Sequence, residues 1–467
     1  MDNMNSLAFK FNETAIMPIG KDRNLKRDAI FKEMCNTITY DYEVDMSGTE
    51  LGYVMCALAF IKTFSETSYV TKQNLLSFVC ECSIGSEYAI DKARKVFATL
   101  LVSGSSSAHS HTMYDFILAH PKISHESVNG AFLGCATGDS LGLPVEGFSR
   151  TLCKQYVAEI VTPELIPTYH RNNFVFGQYS DDTQLSREFY LSVVQNGGKI
   201  DPMVFGLRIA SLFQPNAYRI VGYGRQTARA AEAIRKGSSV SESGCSKGQG
   251  NGSIMRSPAV GLVMATHSKQ NIIDATTVLS SITHASPAAI DGSVAVSLAT
   301  KYAASTRNMP IDPVHFMEYI KEGVSESFSA YLDEVLSMFL GNMQWEMVAN
   351  RIIEIGVSNG ERRWGDGISI GSRQTALWAI YCFLANPDSF TDCMACAIMV
   401  GGDVDTTAAT VGGIIGARVG YEGIPTIWKK QVHDMGEWKH DELLVVTKKV
   451  HELVQNKCVC WNDEMCC

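Results

Sequence analysis

No run of basic residues long enough to follow a phosphate backbone occurs in this sequence. Its 40 lysines and arginines are outnumbered by 49 acidic residues, for a formal net charge of −9. That balance argues against nucleic acid as a partner. Apolar runs of membrane-spanning length are missing as well: the best candidate, Leu51 to Phe64, is too short and carries Lys62. The opening MDNMNSLAFKFNETAIM has neither the basic start nor the unbroken apolar core of a secretory signal. A soluble, intracellular and cytoplasmic protein is the expectation, with no transmembrane segment. The 14 cysteines lack zinc-finger spacing. They include a C-x-C at Cys80 and Cys82 and a tail set of Cys458, Cys460, Cys466 and Cys467. The terminal pair resembles some prenylation signals, but no polybasic stretch adjoins it. Most of these thiols are expected to be reduced and buried, and the tail set to have no ligand or lipid role. Strand-like alternation is scarce and no internal repeat is evident, so neither a TIM barrel nor a doubly wound sheet finds support.

What is present is helical patterning. The small, polar segment SGSSSAHSH, from Ser103 to His111, reads as a linker or exposed loop. It divides a smaller helix-rich N-terminal region, residues 1–120, without any catalytic constellation, from a main domain, residues 121–467. In the main domain Gly130, Gly134, Gly138 and Gly142 recur every four residues, and so do Gly412, Gly416 and Gly420. Residues four apart share one helix face. Such stripes let two helix backbones approach closely, which balances glycine's poor helix propensity. Leu443, Val446, Val450 and Leu453 mark an amphipathic helix near the end.

Five segments carry chemistry. Gly177-Gln-Tyr-Ser-Asp-Asp-Thr183 and Gly401-Gly-Asp-Val-Asp-Thr-Thr407 each set two carboxylates beside a hydroxyl at a helix start. Hard divalent cations require such oxygen ligands. Either motif alone reads first as helix capping, because Ser and Asp are favoured caps and complement the dipole. Together they reverse that balance, since four converging carboxylates repel unless cations neutralise them. The segment from Gly130 to Glu146 is a glycine-faced helix ending near Pro144, and it leaves Glu146 just past the helix end, where the dipole disfavours it. Gly250-Asn-Gly-Ser-Ile-Met-Arg-Ser-Pro258 offers a glycine-rich turn whose amides suit a diphosphate, although alone it reads as a loop. Thr283-His284 precedes a small-residue helix, and a lone histidine is usually a hydrogen-bonded core residue.

In this order the five segments resemble the ADP-ribosylglycohydrolase family, which includes dinitrogenase reductase-activating glycohydrolases, mammalian ADP-ribosyl-acceptor hydrolases and jellyfish lens crystallins. The resemblance runs from about Val128 to Trp428. It also takes in Gly222-Tyr-Gly-Arg225, the run Gly365 to Leu384, and Gly423-Ile-Pro425 with Trp428. It implies an all-α, compact orthogonal helical bundle with two magnesium ions, or manganese, in a cleft. The family's first acidic motif falls on Ser180, Asp181 and Asp182, and its second on Asp403, Asp405 and Thr406, as metal ligands. Ser180 stands where threonine is commoner and offers the same oxygen. The family's mobile glutamate falls on Glu146, its adenosine-diphosphate loop on Gly250, Asn251, Gly252 and Ser253, and a ligand-contacting histidine on His284.

The activity so implied is metal-dependent hydrolysis of a ribosyl C1 bond in ADP-ribosylated proteins or related conjugates, with Glu146, Asp181, Asp182 and Asp405 as the catalytic set. Such cleavage passes through an oxocarbenium-like state. A monomer acting on ADP-ribose conjugates is expected. The competing reading is a non-catalytic ADP-ribose-binding or crystallin-like protein on the same scaffold. Intact carboxylates at 181, 182, 403 and 405 favour the enzyme.

Overall fold

The computed structural model describes residues 114–115, 117–119, 121–167, 174–213, 220–456 and 458–461. Nearly all of the expected N-terminal region, with Cys80, Cys82 and the segment from Ser103 to His111, lies outside the described residues. The chain divides into two compact units, and the larger comprises Pro121–Arg307 with Ile311–Cys467.

The larger unit opens with α1 (His125–Gly142), which passes through a 3-10 turn (Leu143–Val145) into α2 (Arg150–Tyr156). Then come α3 (Asp181–Gln195), α4 (Pro202–Ser211), α5 (Arg225–Arg235), α6 (Ser257–Val263), α7 (Lys269–Ser281) and α8 (Pro287–Ser305). Next are α9 (Pro313–Lys321), α10 (Glu326–Leu340), α11 (Trp345–Ser358), α12 (Ser372–Ala385), α13 (Phe390–Met399) and α14 (Val404–Val419). The short α15 (Thr426–Lys429) and α16 (His440–Gln455) complete it. Among the described residues β-structure is confined to isolated bridges, so the all-α expectation holds. No described helix is long and apolar enough to cross a membrane.

Local sequence fixes many of the helix starts. Ser124 Oγ accepts from Ser127 N at α1. Asp201 and Asp312 each accept two backbone amides, with Pro202 and Pro313 in the first helical turn. A capping oxygen satisfies amides that have no intrahelical partner, and proline has no such amide to lose.

Helix α14 is the axis of the unit. Its residues from Val404 to Arg418 are all buried, and α1, α8, α12 and α13 pack around it. The glycine stripes explain how α1 can lie so close. A Cβ on Gly130 would sit 2.1 Å from Gly416 O, one on Gly134 2.2 Å from Gly412 O, and one on Gly138 2.0 Å from Ala408 O. At Gly142 the nearest atom is Val404 O at 2.4 Å. The partner number falls as the α1 number rises, so the two helices run antiparallel with backbone against backbone. Each helical glycine costs about 1 kcal/mol of propensity relative to alanine, and the contact it permits offsets that loss. The stripe also aligns the C-terminal end of α1 with the N-terminal end of α14, where the second acidic motif begins. Gly420, at φ +77° and ψ 176°, ends α14 in an extended positive-φ conformation that essentially only glycine adopts.

On α16, Leu443, Val446 and Val450 are buried as expected, while Leu453 is only partly covered and Val454 takes the inward position. Seven described cysteines are free thiols, five of them buried. Cys460 is disulfide-bonded, an exception to the reduced state expected of most cysteines.

Candidate active site

The first acidic motif is held from beneath by a residue the sequence reading did not single out. Asp139, in the last turn of α1 and fully buried, accepts from Ser180 N at 2.9 and 3.0 Å, from Thr183 N at 3.1 Å and from Thr183 Oγ1 at 2.7 Å. It thereby caps α3 from a neighbouring helix. Ser180 caps as well: its Oγ accepts from Asp182 N at 3.3 Å and donates to Asp182 Oδ2 at 2.7 Å. Asp181 N donates to Val221 O at 2.7 Å. The adjacent Gly222, at φ +84°, leaves space for Asp181, whose Oδ1 would be 3.0 Å from a Cβ there. The only sign of Asp139 in the sequence is a carboxylate one residue off the glycine stripe, on a helix buried along nearly all its length.

The second motif begins in a turn that only glycine can make. Gly401 and Gly402 have φ of +76° and +87°, and a Cβ on Gly402 would lie 2.0 Å from Ile368 O. Asp403 N donates to Ile368 O at 2.8 Å, and Gly147 N donates to Gly402 O at 2.7 Å. That last bond brings the residue beside Glu146 onto the turn before Asp403. Carboxylate oxygens of Glu146, Asp403 and Asp405 consequently lie within 4.8 Å of one another. Thr406 Oγ1 reaches Asp182 Oδ2 at 3.5 Å and so joins the two motifs, which lie more than two hundred residues apart in sequence. Asp403 is the N-cap residue of α14, yet its side chain makes no capping bond. Capping therefore accounts for Ser180 and not for Asp403.

These groups line one side of a cavity of about 500 Å³. Its other walls include Gly250, Asn251, Gly252 and His284, with Arg225, Arg229, Lys247 and Arg362 at exposed positions. Asn251 Nδ2 donates to Asp403 Oδ2 at 2.7 Å and to Thr375 Oγ1 at 2.8 Å. The loop backbone is tied by Gly250 N to Gln226 Oε1 at 3.1 Å and by Asn251 N to Ile370 O at 3.0 Å. Two residues assigned by the resemblance stand back from the cavity. Ser253 turns its hydroxyl to Ser293 Oγ at 2.9 Å, and Ser180 spends its own on Asp182. Thr375, which steadies Asn251, was not foreseen as an individual residue.

The electrostatics are those of carboxylates crowded out of water. Burial, then Asp139, raises the pKa of Asp181 and of Asp182 well above the ordinary range. Burial, then Glu146 and Asp403, does the same to Asp405. Asp403 is pushed up to about 7 by burial and by Glu146, and Asp139 to about 6 by burial. Asp182 Oδ1 is buried with no hydrogen-bond partner. A buried, unpartnered carboxylate oxygen beside further carboxylates and two hydroxyls is the donor set a hard divalent cation requires, so the residues fit such an ion.

Fold and site together define an all-helical protein with a metal-competent acidic cavity. The ADP-ribosylglycohydrolase family model matches residues 120–460, and the chain belongs to that family, a family of hydrolases. Its relatives include the uncharacterized protein YegU of Escherichia coli K12, 25% identical over 323 residues that span 66% of this chain and 92% of that one. ADP-ribosylhydrolase ARH3 of Xenopus tropicalis is 27% identical over 346 residues, covering 67% and 94%. A solved structure of an ADP-ribosylglycohydrolase-related protein complex aligns with TM-score 0.49 at 21% identity, over 71% of this chain and 98% of that one.

Proposed function

We propose that this chain is a divalent-cation-dependent hydrolase that cleaves the ribosyl C1 bond of ADP-ribose conjugates. The observation that carries the reading is the unpartnered Asp182 Oδ1 beside the Glu146, Asp403 and Asp405 cluster, in the cavity that also holds the Gly250–Gly252 loop. Asp181, Asp182, Asp403, Asp405 and Thr406 would hold two magnesium ions, or manganese in their place, with Ser180 supporting them through its bond to Asp182. A bound cation supplies Lewis acidity, polarising substrate oxygens and acidifying water.

The chain's own groups do the remainder. The carboxylates complement the positive charge that develops on the ribose ring as the C1 bond breaks. Asn251 fixes the orientation of Asp403. Glu146 is half-buried beside Asp403 and Asp405, on a segment that leaves α1 at Gly142, and in this reading it serves the leaving group. With the Gly250 and Asn251 amides tied to Gln226 and Ile370, the part of the loop left to face the diphosphate is its Gly252 end.

The test is incubation with defined arginine- and serine-ADP-ribosylated peptides, with magnesium and after chelation. Release of ADP-ribose from at least one of them, only when magnesium is present, is expected. Release that survives full chelation, or tight binding of ADP-ribose with no release from any conjugate, overturns the reading. The second outcome would favour a binding protein.

A further inference from the structure

His284 reaches the cavity from the turn after α7, and its surroundings fix where its proton sits. The ring is buried, yet it lines the cavity beside the glycine loop. A Cβ on Gly252 would lie 3.1 Å from His284 Nε2, and one on Gly250 would lie 3.5 Å from it. A side chain at either position would crowd this nitrogen, so the two glycines leave it open.

On the other side of the ring, Nδ1 lies 2.7 Å from Thr283 Oγ1. Among the described residues that hydroxyl has one further partner, Arg256 Nη2 at 2.9 Å. A guanidinium can only donate, so Thr283 Oγ1 accepts from Arg256. The hydroxyl still owns one hydrogen, and among the described residues the only acceptor within reach is His284 Nδ1. If Nδ1 carried the proton instead, the threonine hydrogen would be buried without an acceptor, an arrangement native structures avoid.

We infer that Arg256 and Thr283 are positioning residues that hold His284 as a neutral imidazole with its proton on Nε2, a hydrogen-bond donor aimed between Gly250 and Gly252 at an acceptor oxygen of the ligand. Arg256 also donates from Nη1 to Gly252 O at 2.8 Å and from Nη2 to Leu279 O at 3.0 Å. One buried side chain thus holds both the loop and the residue that orients the ring. Burial, and after it the charge of Arg256, depresses the His284 pKa to about 3, in keeping with a ring that stays neutral. Burial lowers Arg256 to about 9, which leaves it a cation at neutral pH. A neutral donor accepts an oxygen lone pair and does not bind a cation, so the ligand class is an oxygen acceptor such as a phosphate or ribose oxygen.

That the oxygen belongs to ADP-ribose rests on the hydrolase reading, whereas the tautomer does not. The experiment is long-range proton–nitrogen NMR on the full chain with nitrogen-15 in its histidines, with His284→Gln to identify the resonance among the 11 histidines. Without ligand, His284 should show a protonated Nε2 and an unprotonated Nδ1, unchanged between about pH 5.5 and pH 8.5, the interval in which an ordinary histidine titrates. A protonated Nδ1, or a ring that titrates in that range, overturns the inference whatever the protein hydrolyses. Thr283→Ser keeps the hydroxyl and should keep the signature. Thr283→Val should lose the tautomer preference and bind ADP-ribose about tenfold more weakly, the size of one lost hydrogen bond. A Thr283→Val protein with wild-type tautomer and affinity would overturn the positioning role. A wild-type chain with the expected tautomer and no ADP-ribose binding would sustain the inference and count against the hydrolase reading alone.

Discussion

Asn251 and Asp403 are joined by a 2.7 Å hydrogen bond from amide to carboxylate, across 152 positions of sequence. The glycine loop is thereby fastened to the second acidic motif, and the same amide nitrogen is steadied by Thr375. A residue that the resemblance assigns to the adenosine diphosphate is also a support for a proposed metal ligand.

Removing that support should be felt by the cation. Asn251→Ala frees Asp403 to rotate, and loss of such an outer partner typically lowers metal affinity by about 10- to 100-fold. Calorimetric titration with magnesium checks it. If magnesium affinity is unchanged while ADP-ribose affinity falls, the amide serves only the ligand.

Asp405→Asn keeps the side-chain shape and removes one charge from the cluster. Magnesium affinity should fall, and hydrolysis should fall further. Without the cation the variant should melt higher than the wild type, because repulsion among buried carboxylates is relieved. The sign of the pH dependence follows from the raised carboxylate pKa values. A group whose folded pKa lies above its unfolded value favours the fold at low pH and loses that contribution as pH rises through the folded pKa. With Asp139 near 6 and Asp403 near 7, chelated wild type should lose stability between about pH 4 and pH 7. The variant's advantage should widen over the same interval, and saturating magnesium should remove it. Melting curves at several pH values, with and without chelator, decide this; a variant less stable than wild type throughout would return the second motif to a structural role.

Gly138→Ala places a methyl group where Ala408 O stands 2.0 Å away. Neither backbone can yield without shifting its helix. Destabilisation of at least about 3 kcal/mol is expected, at the upper end of ordinary overpacking. Because the same contact aligns Asp139 with the start of α14, magnesium affinity should drop in whatever protein still folds. Denaturant unfolding and calorimetry measure the two effects, and a neutral substitution would show that the helices are free to separate.

A chain beginning at Pro121 should fold and retain cation-dependent hydrolysis, since the larger compact unit begins at that residue. Circular dichroism and the peptide assay test it together. A soluble, helical product that no longer binds ADP-ribose would mean that the preceding residues contribute to the site.

Much of this arrangement is legible in the sequence because glycine and aspartate have few reasons to recur in fixed patterns. The four-residue glycine spacing announces a backbone contact, and the two acidic motifs announce a shared site. Asp139 escaped notice for a physical reason: its function is to accept three donors from a turn 41 or more residues away, and nothing local demands a carboxylate there. Thr375 is similar, an ordinary residue of a buried helix until Asn251 is found against it. Long-range hydrogen bonds of this kind leave no periodic trace. The tail escaped for a different reason, since Cys460 has no spacing that signals its disulfide.

The seam between α1 and α14 has no side-chain layer to repack. The spacing of the acidic ends is set by peptide bond lengths and helix pitch, which substitutions in the outer helices do not touch. Sequence drift can then accumulate around the seam without moving the site. A chain that keeps the glycines can keep the same separation of carboxylates, however far its outer helices diverge. The seam acts as a ruler, and its graduations are backbone atoms that every amino acid has in common.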